Sequence, residues 1–281
     1  MSQYGVAAHE RLRLETDRKH YALEALGIFA FFVLAVLLAA NVYAGMTSFG
    51  YAWLLPVLAV AAYLAADFLS GFVHFLVDNF GSAETPIIGP NFVGAFREHH
   101  VDPKGITHHN FVDTNGNNSL VALPFMLMVW LAIPIETTAW GYLLGAFFLL
   151  LCLGVFLTNQ FHKWAHMNEP PAAVTWLQGK GLILSSEHHD IHHESPYDTY
   201  YCITVGFWNP LLDRARFFER TERLLPRPSR HGPPPPRRAR GKPERVARAW
   251  PVPTENSSLA GGGNAGTTLS QRTCCEPGAP P

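Results

Sequence analysis

The chain has 281 residues, 48% hydrophobic and only 15% charged, against roughly 25% charge in an ordinary soluble domain, and that deficit points to a membrane. Its four cysteines, Cys152, Cys202, Cys274 and Cys275, include an adjacent pair near the C-terminus and fit neither a disulfide framework nor a spaced zinc knuckle. The net charge of −1 conceals an asymmetry: residues 226–250 hold eight Lys/Arg against Glu244, or +7, which leaves −1 − 7 = −8 elsewhere.

Residues 1–20 form an N-terminal segment with Arg11, Arg13, Arg18 and Lys19. The first apolar run, 21–44, has the roughly 20 residues a spanning helix needs. It is too long for the core of a cleavable signal peptide, and no cleavage site follows it. The second run, 51–80, is largely apolar but carries Asp67, Ser70, His74 and Asp78. These residues and Gly71 fall at helical spacing on one stripe, which points away from lipid. Ionisable groups at membrane depth are costly and usually functional. Asp67 lies one to two turns deeper than His74 and reads as a ligand or as a buried hydrogen-bond partner.

The loop that follows reads "FREHHVDPKGITHHNF" and brings His99, His100, His108 and His109, with Glu98 and Asp102 as acceptors for imidazole N–H groups. "TNGNN" (114–118) reads as a capping turn, or as a contact for a polar headgroup. The third run, 119–135, is short and contains Pro124 and Pro134; it is expected to span, with a re-entrant or interfacial segment as the alternative. The fourth, 139–161, spans cleanly and runs into "HKWAH", where His162 and His166 share a helix face. "SSEHHDIHHES" (185–195) adds His188, His189, His192 and His193, again three or four apart. The following "YYCITVGFWNPLL" reads as an interfacial segment with Trp208 at the headgroups, or as a lid over the site. Beyond 226 the Pro-, Gly- and Arg-rich tail is expected to be disordered, and its basic half can meet anionic headgroups.

Lys and Arg concentrate before the first run, between the second and third, and after the fourth. By the positive-inside rule both termini and the middle loop are then cytoplasmic. Eleven of the 14 histidines lie between His74 and His193, all on that side. The expected fold is therefore all-α: a multi-pass membrane protein of four transmembrane helices over 21–225, with a cytoplasmic histidine-rich di-metal cap. Imidazole suits zinc, copper, iron and nickel. Eleven imidazoles and a carboxylate are too many for one tetrahedral ion, and two ions account for them. There is no H-E-x-x-H signature, no cysteine set for an iron–sulfur cluster, and no dinucleotide fingerprint. Electrons must then come from outside the chain, and no nucleic-acid partner is expected. A histidine-rich pair of metals at a membrane surface suits oxygen chemistry on lipid, because unactivated C–H bonds lie beyond side-chain bases.

Four stretches, "ADFLSGFVHFLVDNFGS", "FREHHVDPKGITHHNF", "TNQFHKWAH" and "EHHDIHHESPYDTYYCIT", together resemble the plasmanylethanolamine desaturase family, also called the Kua or CarF type. The likeness covers about 66–225 and shares its H-x-x-x-H and H-x-x-H-H grammar with membrane fatty-acid desaturases and hydroxylases. It implies an O2-dependent enzyme with two iron ions that converts the alkyl ether chain of an ether phospholipid to a vinyl ether. It further implies an electron donor of the cytochrome b5 or ferredoxin type with its reductase. Carried over by position, the implied metal ligands are His74, Asp78, His99, His100, His109, His162, His166, His188, His189, His192 and His193, with His162, His166, His189, His192 and His193 at the catalytic centre. His108 lies outside the matching motif. The alternatives are a lipid or fatty-acid hydroxylase with the same centre, or a non-enzymatic membrane metal carrier or sensor. The Arg/Pro/Ala-rich tail has the composition of a GC-rich bacterial gene, so a bacterial inner membrane is expected rather than endoplasmic reticulum.

Overall fold

The computed structural model describes residues 3–80 and 93–225, with side chains from Arg18 onward and excepting Arg97. The tail beyond 225 lies outside the described residues. Among them all regular structure is helical. The first run belongs to one long helix, α1 (Gln3–Phe49). A 3-10 turn (Ala52–Leu54) leads into α2 (Leu55–Asn79), where Pro56 sits in the first turn and lacks only an N–H with no partner there. The fourth run becomes α5 (Ala139–His166), capped by the Thr138 hydroxyl, which accepts from Gly141 N at 3.1 Å. Helix α5 continues past the apolar run, so His162 and His166 occupy its last turn.

The third run departs from its expected limits. Helix α4 (Phe111–Ala132) begins eight residues earlier, because Asn110 caps it by accepting from Val112 N at 2.8 Å and Asp113 N at 3.2 Å. "TNGNN" is thus neither a turn nor a cap but part of the helix, and Pro124 is accommodated inside it. Those polar residues face protein: Asn115 Nδ2 donates to Gln160 Oε1 (3.1 Å) and Asn118 Nδ2 donates to Val155 O (2.8 Å), both on α5. Gly116 lets Glu24 of α1 lie where a Cβ would sit, within 2.4 Å.

Three helical segments, Arg18–Phe49, Ala52–Asn79 and Ala139–His166, are long and apolar enough to cross a membrane. Helix α4, with its polar first turns, is not among them. Helix α5 is central: α1, α2 and α4 all pack along it. The largest core cluster joins Phe31 and Leu38 of α1, Met126 of α4, and Tyr142 and Phe156 of α5. The outer faces leave Leu26, Phe29, Val57, Val60 and Leu131 at least 60% exposed, which suits lipid and not water.

Five short helices gather at one end of this bundle: α3 (Gly94–Val101), α6 (Ala172–Gly179), α7 (Ser186–His193), α8 (Asn209–Arg214) and α9 (Phe217–Leu224). Asp67 anchors that end. Its Oδ1 accepts from the backbone N–H groups of Thr204 (3.2 Å), Val205 (2.8 Å) and Gly206 (2.9 Å), and its Oδ2 from Trp208 (3.3 Å). Of its two sequence readings, the hydrogen-bond partner is the one realised. Gly71 lets the same loop approach α2: a Cβ there would meet Cys202 Sγ at 2.4 Å.

Candidate metal centre

Each histidine motif reaches the site by a local rule. His74 and Asp78 lie one turn apart near the end of α2, as do His162 and His166 at the end of α5. Ser185 caps α7 by accepting from His188 N (3.3 Å), which sets His189, His192 and His193 on consecutive turns. Helix α3 supplies His99 and His100.

Their side chains sort into two groups, in each of which one potential ligand atom per residue lies within 4.8 Å of every other. The first holds five imidazoles: His99, His162, His166, His189 and His193. The second holds His74, Asp78, His100 and His192. The groups adjoin: the rings of His192 and His193 are 5.5 Å apart, and those of His74 and His162 are 6.2 Å apart.

Spacing within each group suits a shared ion. His162 Nε2 lies 3.1 Å from His166 Nε2, and His189 Nε2 lies 3.1 Å from His193 Nε2. Two nitrogens held about 2.1 Å from a common ion at right angles stand about 3.0 Å apart. In the second group Asp78 Oδ2 lies 3.1 Å from His100 Nε2, 3.3 Å from His74 Nε2 and 3.6 Å from His192 Nε2. Both nitrogens of His99, Nε2 of His74 and His192, and Asp78 Oδ1 are buried without a hydrogen bond. Orphaned buried polar atoms are costly and uncommon. A cation satisfies several of them at once, so the donor sets fit metal ions.

Backbone carbonyls orient the second group. His74 Nδ1 faces Tyr201 O at 3.1 Å, and His192 Nδ1 faces Thr199 O at 2.7 Å. A carbonyl only accepts, so each Nδ1 carries the proton and each Nε2 is left bare toward Asp78. The loop that supplies these carbonyls holds Tyr197 and Tyr200 in the left-handed region, at φ 62° and 59°. Non-glycine residues adopt it uncommonly. The Tyr197 ring packs edge-on against His100, with centroids 5.2 Å apart. From the 200–212 segment Tyr201 packs its ring on His74 and His192, with centroids 5.8 and 5.0 Å apart, and Trp208 turns its indole N–H to Leu64 O on α2 (2.7 Å).

Burial also sets protonation. Removal from water holds the His99, His189 and His193 imidazoles well below their usual range, reinforced by neighbouring histidines. Neutral imidazole is the form that binds metal.

Two implied ligands stand apart. His109 is exposed next to the α4 cap, its carbonyl accepting from Lys163 Nζ, and it joins neither group. His108, also exposed, ends a 3-10 turn (Gly105–His108). His188 is buried on α7, but it joins neither group. Its Nε2 accepts from Asn209 Nδ2 at 3.0 Å, while Asn209 also pairs with both Cys202 N (2.8 Å) and Cys202 O (2.9 Å). Gly206 makes room for it, since a Cβ there would lie 2.3 Å from His188 Nε2. Asn209, the Thr199 and Tyr201 carbonyls and Phe96, whose ring lies 5.1 Å from that of His74, escape sequence reasoning. None carries a metal-ligand signature.

Fold and site thus define a helical membrane protein whose histidine clusters can hold metal ions. A family profile described as "Lipid desaturase domain" matches residues 63–234. The chain is 46% identical over 204 residues to a plasmanylethanolamine desaturase of Myxococcus xanthus, covering 73% of this chain and 71% of that protein. It is 45% identical over 173 residues to plasmanylethanolamine desaturase 1 of Mus musculus (59% of this chain, 63% of that protein). It is 35% identical over 176 residues to fatty acid desaturase 4-like 1, chloroplastic, of Arabidopsis thaliana (62% and 57%). No solved structure matches. The chain belongs to the lipid desaturase family that includes the plasmanylethanolamine desaturases, and it is an oxidoreductase.

Proposed function

We propose that this chain is an O2-dependent di-iron desaturase that converts the alkyl ether chain of plasmanylethanolamine to the vinyl ether of a plasmalogen. The observation that carries the reading is the pair of adjoining donor sets, one of five imidazoles and one of three imidazoles and a carboxylate. The names of the Myxococcus and mouse relatives supply the substrate. Bound iron, with O2, supplies the oxidising power that a C–H bond beside an ether oxygen requires.

The protein's part is positioning. His162 and His166 from α5, His189 and His193 from α7 and His99 from α3 hold one ion; His74, Asp78, His100 and His192 hold the other. Asp78 contributes the one negative charge within the two sets. The Thr199 and Tyr201 carbonyls keep His192 and His74 in the metal-binding tautomer. Helices α1, α2, α4 and α5 cross the membrane, with the histidine end cytoplasmic, where an external donor delivers electrons. The tail composition favours a bacterial inner membrane.

The test is lipid analysis of cells with and without the gene, with His166→Ala and His192→Ala alongside. Acid-labile vinyl ether lipids are expected only with the intact gene. If both alanine variants make them as well as the parent does, the assigned centre is wrong. An acid-stable hydroxylated chain identifies a hydroxylase instead.

A further inference from the structure

Helices α2 and α4 both pack along α5, with no extensive contact joining them to each other. Between them lies a cavity of about 290 Å³, backed by α5. Leu69 and Val73 of α2 and Val121 of α4 line it and are also 39%, 39% and 62% exposed on the outer surface. The cavity is therefore a groove that opens sideways, at membrane depth, to lipid.

One end of the groove meets the metal site. Phe96, which lines it, packs on His74, and Val73 precedes that ligand. Thr158 and Asn159 lie within about one turn of His162. The other end reaches Phe125, Leu151 and Cys152. Cys152 is ten residues before His162 on one helix, or about 15 Å along the axis.

Four polar side chains line the groove, yet they offer a ligand little. Ser70 Oγ donates to Asp67 O (2.7 Å) and accepts from Ile203 N (3.0 Å). Thr158 pairs with Gly154 O and Thr204 Oγ1. Asn159 Nδ2 donates to Asn118 Oδ1 (3.1 Å), and Asn118 in turn donates to Val155 O. With these hydrogen bonds made inside the protein, the walls are apolar, and the occupant they suit is hydrocarbon.

We propose that the groove takes the hydrocarbon chain of the substrate lipid straight from the bilayer, sideways between α2 and α4. The polar end of the lipid lies at the His74 group and the chain runs toward Cys152. This rests on the lipid desaturase reading and deepens it. The reacting carbons are then chosen by distance from the polar end, as desaturation next to an ether oxygen requires. A volume at the lower end of the range for ligand pockets holds part of a chain, and the rest stays in the bilayer.

The experiment uses the full-length, iron-loaded enzyme in lipid, assayed with octyl and hexadecyl ether phospholipids. Cys152→Phe, at the deep end, is expected to lower the hexadecyl-to-octyl ratio of kcat/KM at least tenfold. Val121→Trp, at the mouth, is expected to raise KM for both lipids, while Val57→Trp, exposed on α2 far from the groove, leaves both values unchanged. An unaltered chain-length ratio in Cys152→Phe, or equal effects of Val57→Trp and Val121→Trp, overturns the proposal.

Should the bulky variants misfold, the unmodified enzyme is photolysed with a phospholipid bearing a diazirine in mid-chain. Crosslinks within 118–125 and 151–159 support the groove, and crosslinks confined to the outer face of α1 or to 55–60 overturn it. If the parent enzyme forms no vinyl ether from either lipid, the proposed reaction fails while the crosslinks still judge the groove.

Discussion

The two donor sets are unlike each other. The first is made of imidazoles alone, and four of its five come from two helix ends, α5 and α7. The second includes a carboxylate, and two of its imidazoles are aimed by carbonyls of the 199–204 loop. That loop is in turn tied to α2 by Asp67 and Ser70. One set is thus built by helix geometry and the other by a loop held in place from a distance. Damage to the loop should reach the second set and spare the first.

The largest effect is expected from the ligands themselves. His189→Ala and Asp78→Asn should each cut activity by more than about 100-fold, since even groups that only orient ligands cost about 10–100-fold. If the proposed pair of irons is bound, the purified protein should lose one of the two in each case. Loss of both from Asp78→Asn would show that the sets are not independent.

Asp67→Ala leaves four N–H groups, two buried and two partly buried, without their acceptor and should cost about 3 kcal/mol of stability. Iron spectra of the surviving protein should change at the second set and stay constant at the first. Equal disturbance of both sets would break the contrast between loop and helix.

Acid acts on the first set. Folding holds His99 and His189 below their usual range, so below about pH 6.5 the unfolded chain binds protons that the folded chain refuses, and stability falls with pH. The metal-free protein should lose about 1 kcal/mol per histidine for each pH unit below that point, followed by thermal denaturation in detergent. A flat profile from pH 7 to about 5 would mean that water reaches these rings.

The smallest effect is expected at His109. His109→Ala should change activity less than about twofold and leave the iron content intact. Loss of an iron would show that the loop swings inward to complete a set.

The helices and the clustering of most of the histidines were legible in the sequence because both depend on local rules. Apolar runs of spanning length and imidazoles three or four apart announce themselves without knowledge of the fold, and α5 with His162 and His166 is the clearest case. Partition is not local. His99 and His100 are neighbours in the chain but fall in different sets, because consecutive residues on a helix point about 100° apart. His192 and His193 divide for the same reason. His188 has the same motif credentials as His189, yet its face of α7 meets Asn209. His109 is exposed and joins neither set.

What the sequence alone determined was a helical membrane protein with a surplus of imidazoles at one end of its spans, since composition and period carry that much. Only the tertiary structure decided which nine residues meet, in which two sets, which carbonyls hold their tautomers, and that a groove between α2 and α4 leads to them. Those outcomes depend on the rotation of each helix about its axis and on backbone atoms common to every residue, and neither is written in side-chain identity.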